Sequence, residues 1–148
     1  MEISVFCAWD SEMDSYRIFM DDNLDDLQGL IDRTDVVIGF NSEGFDNKLL
    51  EAHGITVPPE KSFDLLVPIK NSTGTRKGLG LDAINRANFG ITKTLNGAMV
   101  PIYWQKGQIG KVTDYCMHDI RMTKKLLEQM LIHGCIIDPR DEGMIEIE

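Results

Sequence analysis

The sequence lacks both a long apolar run and cysteines spaced as metal ligands. No stretch approaches the ~20 consecutive apolar residues of a membrane-spanning helix, and the N-terminal Met1-Glu2-Ile3 lacks the basic residues of a signal peptide. The three cysteines, Cys7, Cys116 and Cys135, are scattered and odd in number. We therefore expect a soluble, cytoplasmic protein without a membrane partner, whose cysteines are small buried hydrophobic residues in a reducing compartment and bind no zinc.

Positive charge is also scarce. The 15 lysines and arginines are outnumbered by 24 aspartates and glutamates, which gives a net charge of −9. This balance argues against a protein that coats nucleic acid through a general basic surface. An enzyme that gathers carboxylates around divalent cations can still be acidic overall while keeping a local basic rim. The residues available for such a rim are Lys70, Arg76, Lys77, Lys106, Lys111, Arg121, Lys124 and Lys125.

The length, the composition and the apolar periodicity predict one α/β domain over residues 1–148. The predicted strands are Ile3 to Trp9, Ser15 to Met20, Asp35 to Phe40 and a short Cys135 to Ile137. The predicted helices are Leu24 to Arg33, Phe45 to His53, Leu79 to Asn88 and Val112 to His133. The first two strands read as a hairpin, the third is typical of a strand buried on both faces, and Ile91 to Gly110 is predicted to be largely irregular.

The long C-terminal helix carries a tyrosine and an acid on one face. Tyr115 and Asp119 are four residues apart, so on a helix they are neighbours one turn apart. The same face carries apolar side chains that are expected to pack against the rest of the protein, so Asp119 is an acid on a mostly apolar face. A second acid, Asp46, begins the helix after the strand that ends at Phe40. We therefore predict that Asp46 lies near Asp119 in the folded protein.

Such residues suit divalent-cation chemistry. Mg²⁺ prefers hard oxygen ligands, and two cations ~3.5–4 Å apart must share a carboxylate. A tyrosine one turn from a metal-binding aspartate can orient the attacking water or help to deprotonate it. Simple helix packing is the alternative role for Tyr115.

Three motifs in this order resemble the DEDD 3′–5′ exonuclease superfamily, in particular its tyrosine-containing branch and the YprB-like ribonuclease H-like group. They are Asn41-Ser42-Glu43-Gly44-Phe45-Asp46 after a strand, Phe63-Asp64-Leu65-Leu66, and Tyr115-Cys116-Met117-His118-Asp119. Further positions that look like that group's pattern are Gly80-Leu81-Asp82, Lys93, Asn96-Gly97, Trp104 and Gly107. The similarity extends from about Asp35 to Gly134.

The resemblance implies a ribonuclease H-like mixed sheet flanked by helices, Mg²⁺ or Mn²⁺ as cofactor, and hydrolysis of the 3′ ends of single-stranded nucleic acid. It implies that Asp119 is a direct metal ligand, that Asp46 is a ligand directly or through water, and that Tyr115 orients the water. Asn41 and Phe45 would shape the substrate cleft, although packing is the favoured role for Phe45. Asp64 is expected to be structural, and His118 incidental.

The first motif of that superfamily, Asp-x-Glu on the first strand, leaves two interpretations open. Asp10-Ser11-Glu12 has these letters, and Asp10 and Glu12 are then further metal-ligand candidates. Alternatively, Asp10 to Asp14 is the turn of the hairpin, which we favour. In that case the central strand is missing, and the domain is either N-terminally truncated and completed by a second polypeptide or a homodimer, or an inactive module that binds a protein or nucleic-acid partner.

Overall fold

The computed structural model describes residues 5–91 and 97–147, and its N-terminal part is a β-hairpin. Strand β1, Phe6–Asp10, pairs antiparallel with β2, Ser15–Phe19. Trp9 faces Tyr16 across the ladder. The hairpin is confirmed, while the predicted first residue of the strand, Ile3, lies outside the described residues.

The third strand is shorter and more exposed than the sequence predicts. Helix α1, Leu24–Arg33, precedes β3, which comprises only Val37–Gly39. Val36 is 51% exposed and Ile38 is 39% exposed. The prediction of a strand from Asp35 to Phe40 buried on both faces was therefore wrong. A two-stranded sheet without a covering layer on one face leaves alternate side chains in solvent.

The chain then turns and returns to lie parallel to β3. A π-helical turn, Ser42–Asp46, leads into α2, Asn47–Ala52, and a 3₁₀ turn, Pro59–Lys61, precedes β4, Ser62–Asp64. Strand β4 pairs with β3 in parallel. The pairing places Gly39 beside Asp64, and the Leu65 N–H donates to the carbonyl of Gly39 at 2.8 Å. Parallel pairing therefore brings the end of β3 and the end of β4 to one edge.

The rest of the described chain is mostly helical. The remaining helices are α3, Leu66–Thr73, α4, Leu81–Phe89, α5, Val100–Gln105, and α6, Ile109–His133. The presence of α5 corrects the prediction of a largely irregular segment from Ile91 to Gly110. The helix tolerates Pro101 because this residue stands in its first turn, where proline is favoured. The chain ends in an antiparallel pair, β5, Cys135–Ile137, with β6, Met144–Glu146.

Helix α6 organises the packing of the described residues. Two of the three apolar clusters among these residues include side chains of α6, and Val112, Met122, Leu126 and Met130 of this helix are buried. The six strands form three separate two-stranded sheets in the described part of the chain. No helix within residues 5–91 and 97–147 has the length and apolarity needed to cross a membrane. The α/β prediction is confirmed, and α6 spans from the hairpin to the β5–β6 pair.

Candidate active site

Asp64 organises the backbone at the edge of the β3–β4 sheet. Its side chain is 5% exposed. Its Oδ1 accepts hydrogen bonds from the N–H groups of Asn41, at 2.8 Å, and Leu66, at 3.0 Å, and its Oδ2 accepts one from Glu43 N–H at 3.2 Å. Hydrogen bonds to a carboxylate are stronger than those to a neutral acceptor. Asp64 therefore has the structural role that the sequence predicts, and it fixes the path of the chain after β3.

The turn that Asp64 holds carries Asp46. Asn41 has a left-handed backbone with φ 55°, which asparagine tolerates better than most residues. Gly44 approaches it closely, since a Cβ on Gly44 would lie 2.7 Å from Asn41 Oδ1. These contacts bend the chain through Ser42–Asp46 and place Asp46 directly before α2.

The two residues predicted to shape a substrate cleft both belong to this turn. The Phe45 N–H donates to the carbonyl of Asn41 at 3.1 Å. Phe45 is 54% exposed, so the packing role that the sequence favours for it was wrong. An exposed aromatic ring beside the acids has a face that a nucleobase can stack on.

Asp119 reaches the same region from α6. It is half-buried and lies one turn before Met122 and two turns before Leu126, both fully buried. The hydroxyl of Thr123 donates to the Asp119 backbone carbonyl at 2.8 Å, which is an ordinary contact within a helix. Asp119 thus projects from the packed face of α6, as the helical spacing predicts.

The charge of Asp119 acts on Asp46. Desolvation, the negative charge of Asp119 and the negative charge of Asp64 together raise the pKa of Asp46 to about 6. Asp46 is an exposed residue, and the charges of Asp119 and Asp64 raise its pKa at an exposed position as well. Carboxylates from the β3–α2 turn, β4 and α6 therefore share one electrostatic environment, although their positions in the sequence are far apart.

The raised pKa of Asp46 predicts a specific pH dependence of stability. Between about pH 4 and pH 6 the folded state holds a proton that the unfolded state has lost, so the free energy of unfolding falls as pH rises through this window. We expect the Asp46→Asn variant to match the wild type near pH 4 and to have a higher melting temperature than the wild type above about pH 6. Thermal unfolding across this pH range measures the difference.

A matched control for this experiment lies in the same turn. Glu43 is exposed, and only its backbone N–H contacts Asp64. The Glu43→Gln variant should therefore follow the wild type at every pH. A difference between Asp46→Asn and the wild type that stays constant with pH would show that the charges of Asp119 and Asp64 do not act on Asp46.

Tyr115 packs in an apolar cluster. Its ring lies against a group built on the buried residues Val5, Val100 and Val112, together with the half-buried Tyr103 and Trp104. Tyr115 thus has a packing role. The cluster also fixes the Tyr115 ring one helical turn from Asp119. A role of the Tyr115 hydroxyl in orienting a water molecule stays a prediction.

Asp10 and Glu12 lie at the hairpin turn. Asp10 is the last residue of β1, and its Oδ1 accepts from the N–H groups of Glu12, at 3.0 Å, and Met13, at 3.4 Å. Glu12 lies in the turn and is exposed. The interpretation of these acids as a strand-borne Asp-x-Glu pair was wrong, because β1 ends at Asp10 and Glu12 lies beyond it in the turn. The favoured turn interpretation is confirmed.

The donor set fits one divalent cation better than a two-cation cluster. Within residues 5–91 and 97–147, no group of three or more histidine, cysteine, aspartate or glutamate side chains is arranged to hold a metal ion. Both carboxylate oxygens of Asp64 accept hydrogen bonds from backbone N–H groups. Asp46 and Asp119 together supply hard oxygen ligands, and a cation between them would relieve the repulsion that raises the pKa of Asp46.

Part of the predicted basic rim is held against aromatic rings. The Lys124 Nζ lies 4.1 Å from the ring centre of Trp9, and the Arg121 guanidinium carbon lies 5.7 Å from that of Tyr16. These cation–π contacts attach the hairpin to α6, a structural role that the sequence pattern did not indicate. The motif residues Lys93 and Asn96 lie outside the described residues.

Comparison with protein families identifies a match over most of the chain. A family model described as the RNase_H superfamily matches residues 3–131. No curated protein and no solved structure matches the chain. The matched range includes the hairpin, the turn that carries Asp46, β4 and most of α6.

Proposed function

The chain belongs to the RNase_H superfamily, and on that premise we propose that it is a divalent-cation-dependent 3′–5′ exonuclease of the tyrosine-containing DEDD type. Its fold is ribonuclease H-like, with small sheets flanked by helices. The proposed reaction is hydrolysis of the terminal phosphodiester bond at the 3′ end of single-stranded nucleic acid. The proposed cofactor is Mg²⁺ or Mn²⁺.

The observation that supports this proposal most is the influence of the Asp119 charge on Asp46. The two acids come from different elements, and the charge of Asp119 raises the pKa of Asp46. Proteins seldom bring like charges together without a cation or a proton to share, because the repulsion destabilises the fold. A site that binds a cation explains why the fold keeps both acids at one place.

Each residue then has a role that its position supports. Asp46 and Asp119 would hold the cation, which when bound lowers the pKa of a water molecule and stabilises the leaving oxygen. The Tyr115 hydroxyl would orient the attacking water. Phe45, exposed in the same turn as Asp46, would stack on the terminal base, and Asn41 would border the cleft.

An inactive binding module is the second candidate function, and the hairpin favours it. Asp10 is the last residue of β1 and Glu12 lies in the turn that follows it, so the two acids do not form a pair within one strand. The hairpin and β3 also belong to different sheets, and the paired residues Ile38 and Phe63 of the β3–β4 sheet are 39% and 46% exposed. A second polypeptide or a second copy of this chain that packs against these side chains would cover that face.

A nuclease assay decides between the two functions. Single-stranded DNA and RNA oligonucleotides labelled at the 5′ end are incubated with the protein in Mn²⁺, in Mg²⁺ or in a chelator. We expect a ladder of products shortened from the 3′ end in the metal-containing samples, no products with the chelator, and little cleavage of blunt duplexes. Folded protein that binds the oligonucleotides without shortening them would overturn the exonuclease proposal and support the binding module.

A further inference from the structure

Two cations of α6 lie against aromatic rings of the hairpin. The Arg121 guanidinium carbon lies 5.7 Å from the ring centre of Tyr16. The Lys124 Nζ lies 4.1 Å from the ring centre of Trp9 and 5.9 Å from that of Tyr16. Trp9 and Tyr16 are partners across the β1–β2 ladder, so their side chains share one face of the hairpin. That face therefore positions both cations.

A third cation of α6 lies against a ring of another element. The Lys125 Nζ lies 5.7 Å from the ring centre of Phe89, the last residue of α4. The three cations fall within five consecutive residues of α6, so they occupy little more than one helical turn. We call this group the cation cluster, and it consists of Arg121, Lys124 and Lys125.

The rings hold the cation cluster in place without neutralising it. An aromatic ring attracts a cation through its quadrupole but carries no net charge. Within the described ranges, 5–91 and 97–147, none of the three cations forms an ion pair with a carboxylate. Arg121 and Lys125 are exposed, and Lys124 is half-buried. The cluster is therefore a local positive surface on a protein whose net charge is −9.

We propose that the cation cluster binds the phosphate backbone of single-stranded nucleic acid on the 5′ side of the bond to be cleaved. The direction of the strand rests on the proposed function. The cluster begins two residues after Asp119 and ends six residues after it, so both lie within two turns of one helix. A strand whose 3′ end lies at Asp119 reaches the cluster with the phosphates that precede that end.

The chemistry of the cluster suits a phosphate backbone. The planar guanidinium of Arg121 can donate two parallel hydrogen bonds to one phosphate, and the lysine ammonium groups act as point charges. The aromatic contacts restrict these side chains in advance, so less conformational entropy is lost when a phosphate binds.

The apolar surface beside the cluster favours nucleic acid over an acidic polypeptide. Tyr16 is 37% exposed, and Ile18, two residues further along the same face of β2, is 41% exposed. An unpaired base can stack on the tyrosine ring and pack against the isoleucine, whereas an acidic side chain gains nothing there. The occupant is therefore a single strand, because the bases of a duplex are already stacked.

Binding of a fluorescent single-stranded oligonucleotide in a chelator tests the proposal without cleavage. The test variant replaces all three cations of the cluster by glutamine. We expect it to bind at least about tenfold more weakly than the wild type at low salt. A plot of log Kd against log salt concentration should become less steep by about 2, because each lost phosphate contact to a single strand removes about 0.7 from the slope.

Thermal unfolding shows whether the triple variant is folded, since Lys124 also attaches the hairpin to α6. If it is not, the double variant Arg121→Gln/Lys125→Gln keeps the contact between Lys124 and Trp9 and takes its place. Its slope should differ from that of the wild type by about 1.4.

Two single variants serve as controls. Arg33 is an exposed arginine in the last turn of α1, and Arg33→Gln should keep the wild-type slope. Glu128 is exposed on α6 in the turn after the cluster, and Glu128→Gln should bind at least as tightly as the wild type because it removes a negative charge.

The outcomes separate this inference from the proposed function. A wild type that does not bind, or a folded triple variant that binds as tightly as the wild type, would overturn the cluster as a binding surface. Poly-glutamate that displaces the oligonucleotide at equal charge concentration would overturn the assignment to nucleic acid. Cluster-dependent binding by a protein that leaves oligonucleotides intact in Mn²⁺ would support the cluster and contradict the exonuclease proposal alone.

Discussion

Replacement of Asp64 by alanine is expected to lower the free energy of unfolding by about 2–4 kcal/mol. The carboxylate accepts three backbone hydrogen bonds, from Asn41, Glu43 and Leu66, and the Leu66 contact is buried. Alanine would leave these donors without their acceptor, and water can replace it only at the exposed side. The loss of the Asp64 charge also lowers the pKa of Asp46, which offsets a small part of the effect. Urea unfolding near neutral pH measures the change.

The control is an aspartate with a similar but exposed hydrogen bond. Asp141 Oδ1 accepts from the Gly143 N–H at 2.9 Å in the loop between β5 and β6. Asp141→Ala should cost less than about 1 kcal/mol. Asp64→Asn, which keeps the shape and one acceptor oxygen, should fall between the two. If Asp64→Ala unfolds within about 0.5 kcal/mol of the wild type, the carboxylate does not hold the turn.

The elements that follow from local patterns were predicted well. The hairpin follows from alternating apolar residues on both sides of a short polar turn, and α6 follows from a long apolar repeat that ends at Gly134, where φ is 66°. The position of Asp119 on the packed face of α6 could be predicted from helical spacing alone. These features depend on residues that lie within a few turns of one another.

Features that depend on tertiary contacts were predicted poorly. The exposure of Ile38 follows from the absence of a covering layer on one face of the β3–β4 sheet within the described residues, which no pattern within β3 records. Helix α5 was missed because Pro101 reads as a helix breaker unless it stands in the first turn.

The candidate site lies between these two cases. The motifs name Asp46 and Asp119 in the sequence, yet only the parallel pairing of β3 with β4 and the packing of α6 show that the two acids share one environment. The amino-acid sequence alone could not show whether Asp10 and Glu12 lie on a strand or in a turn, because two acids two residues apart fit both. The backbone hydrogen bonds to Asp10 decide for the turn.

Asp119→Asn is expected to reduce metal-dependent cleavage of single-stranded oligonucleotides by roughly a thousandfold, which corresponds to about 4 kcal/mol of transition-state stabilisation. The amide keeps the shape of the side chain but loses the charge that a divalent cation requires. The variant should not be less stable than the wild type at neutral pH, because it removes a negative charge that raises the pKa of Asp46. Initial rates in Mn²⁺ and thermal unfolding of the same samples measure both effects.

Asp114 provides the matched control on the same helix. It is exposed one residue before Tyr115, so Asp114→Asn removes the same charge from α6 without touching the site. We expect this variant to cleave at the wild-type rate. If both variants lose activity equally, the loss does not depend on the position of the carboxylate, and Asp119 is not a ligand. If Asp119→Asn cleaves as fast as the wild type, the nuclease activity belongs to other residues. A stable, inactive Asp119→Asn beside an active Asp114→Asn would tie the chemistry to the Asp119 carboxylate.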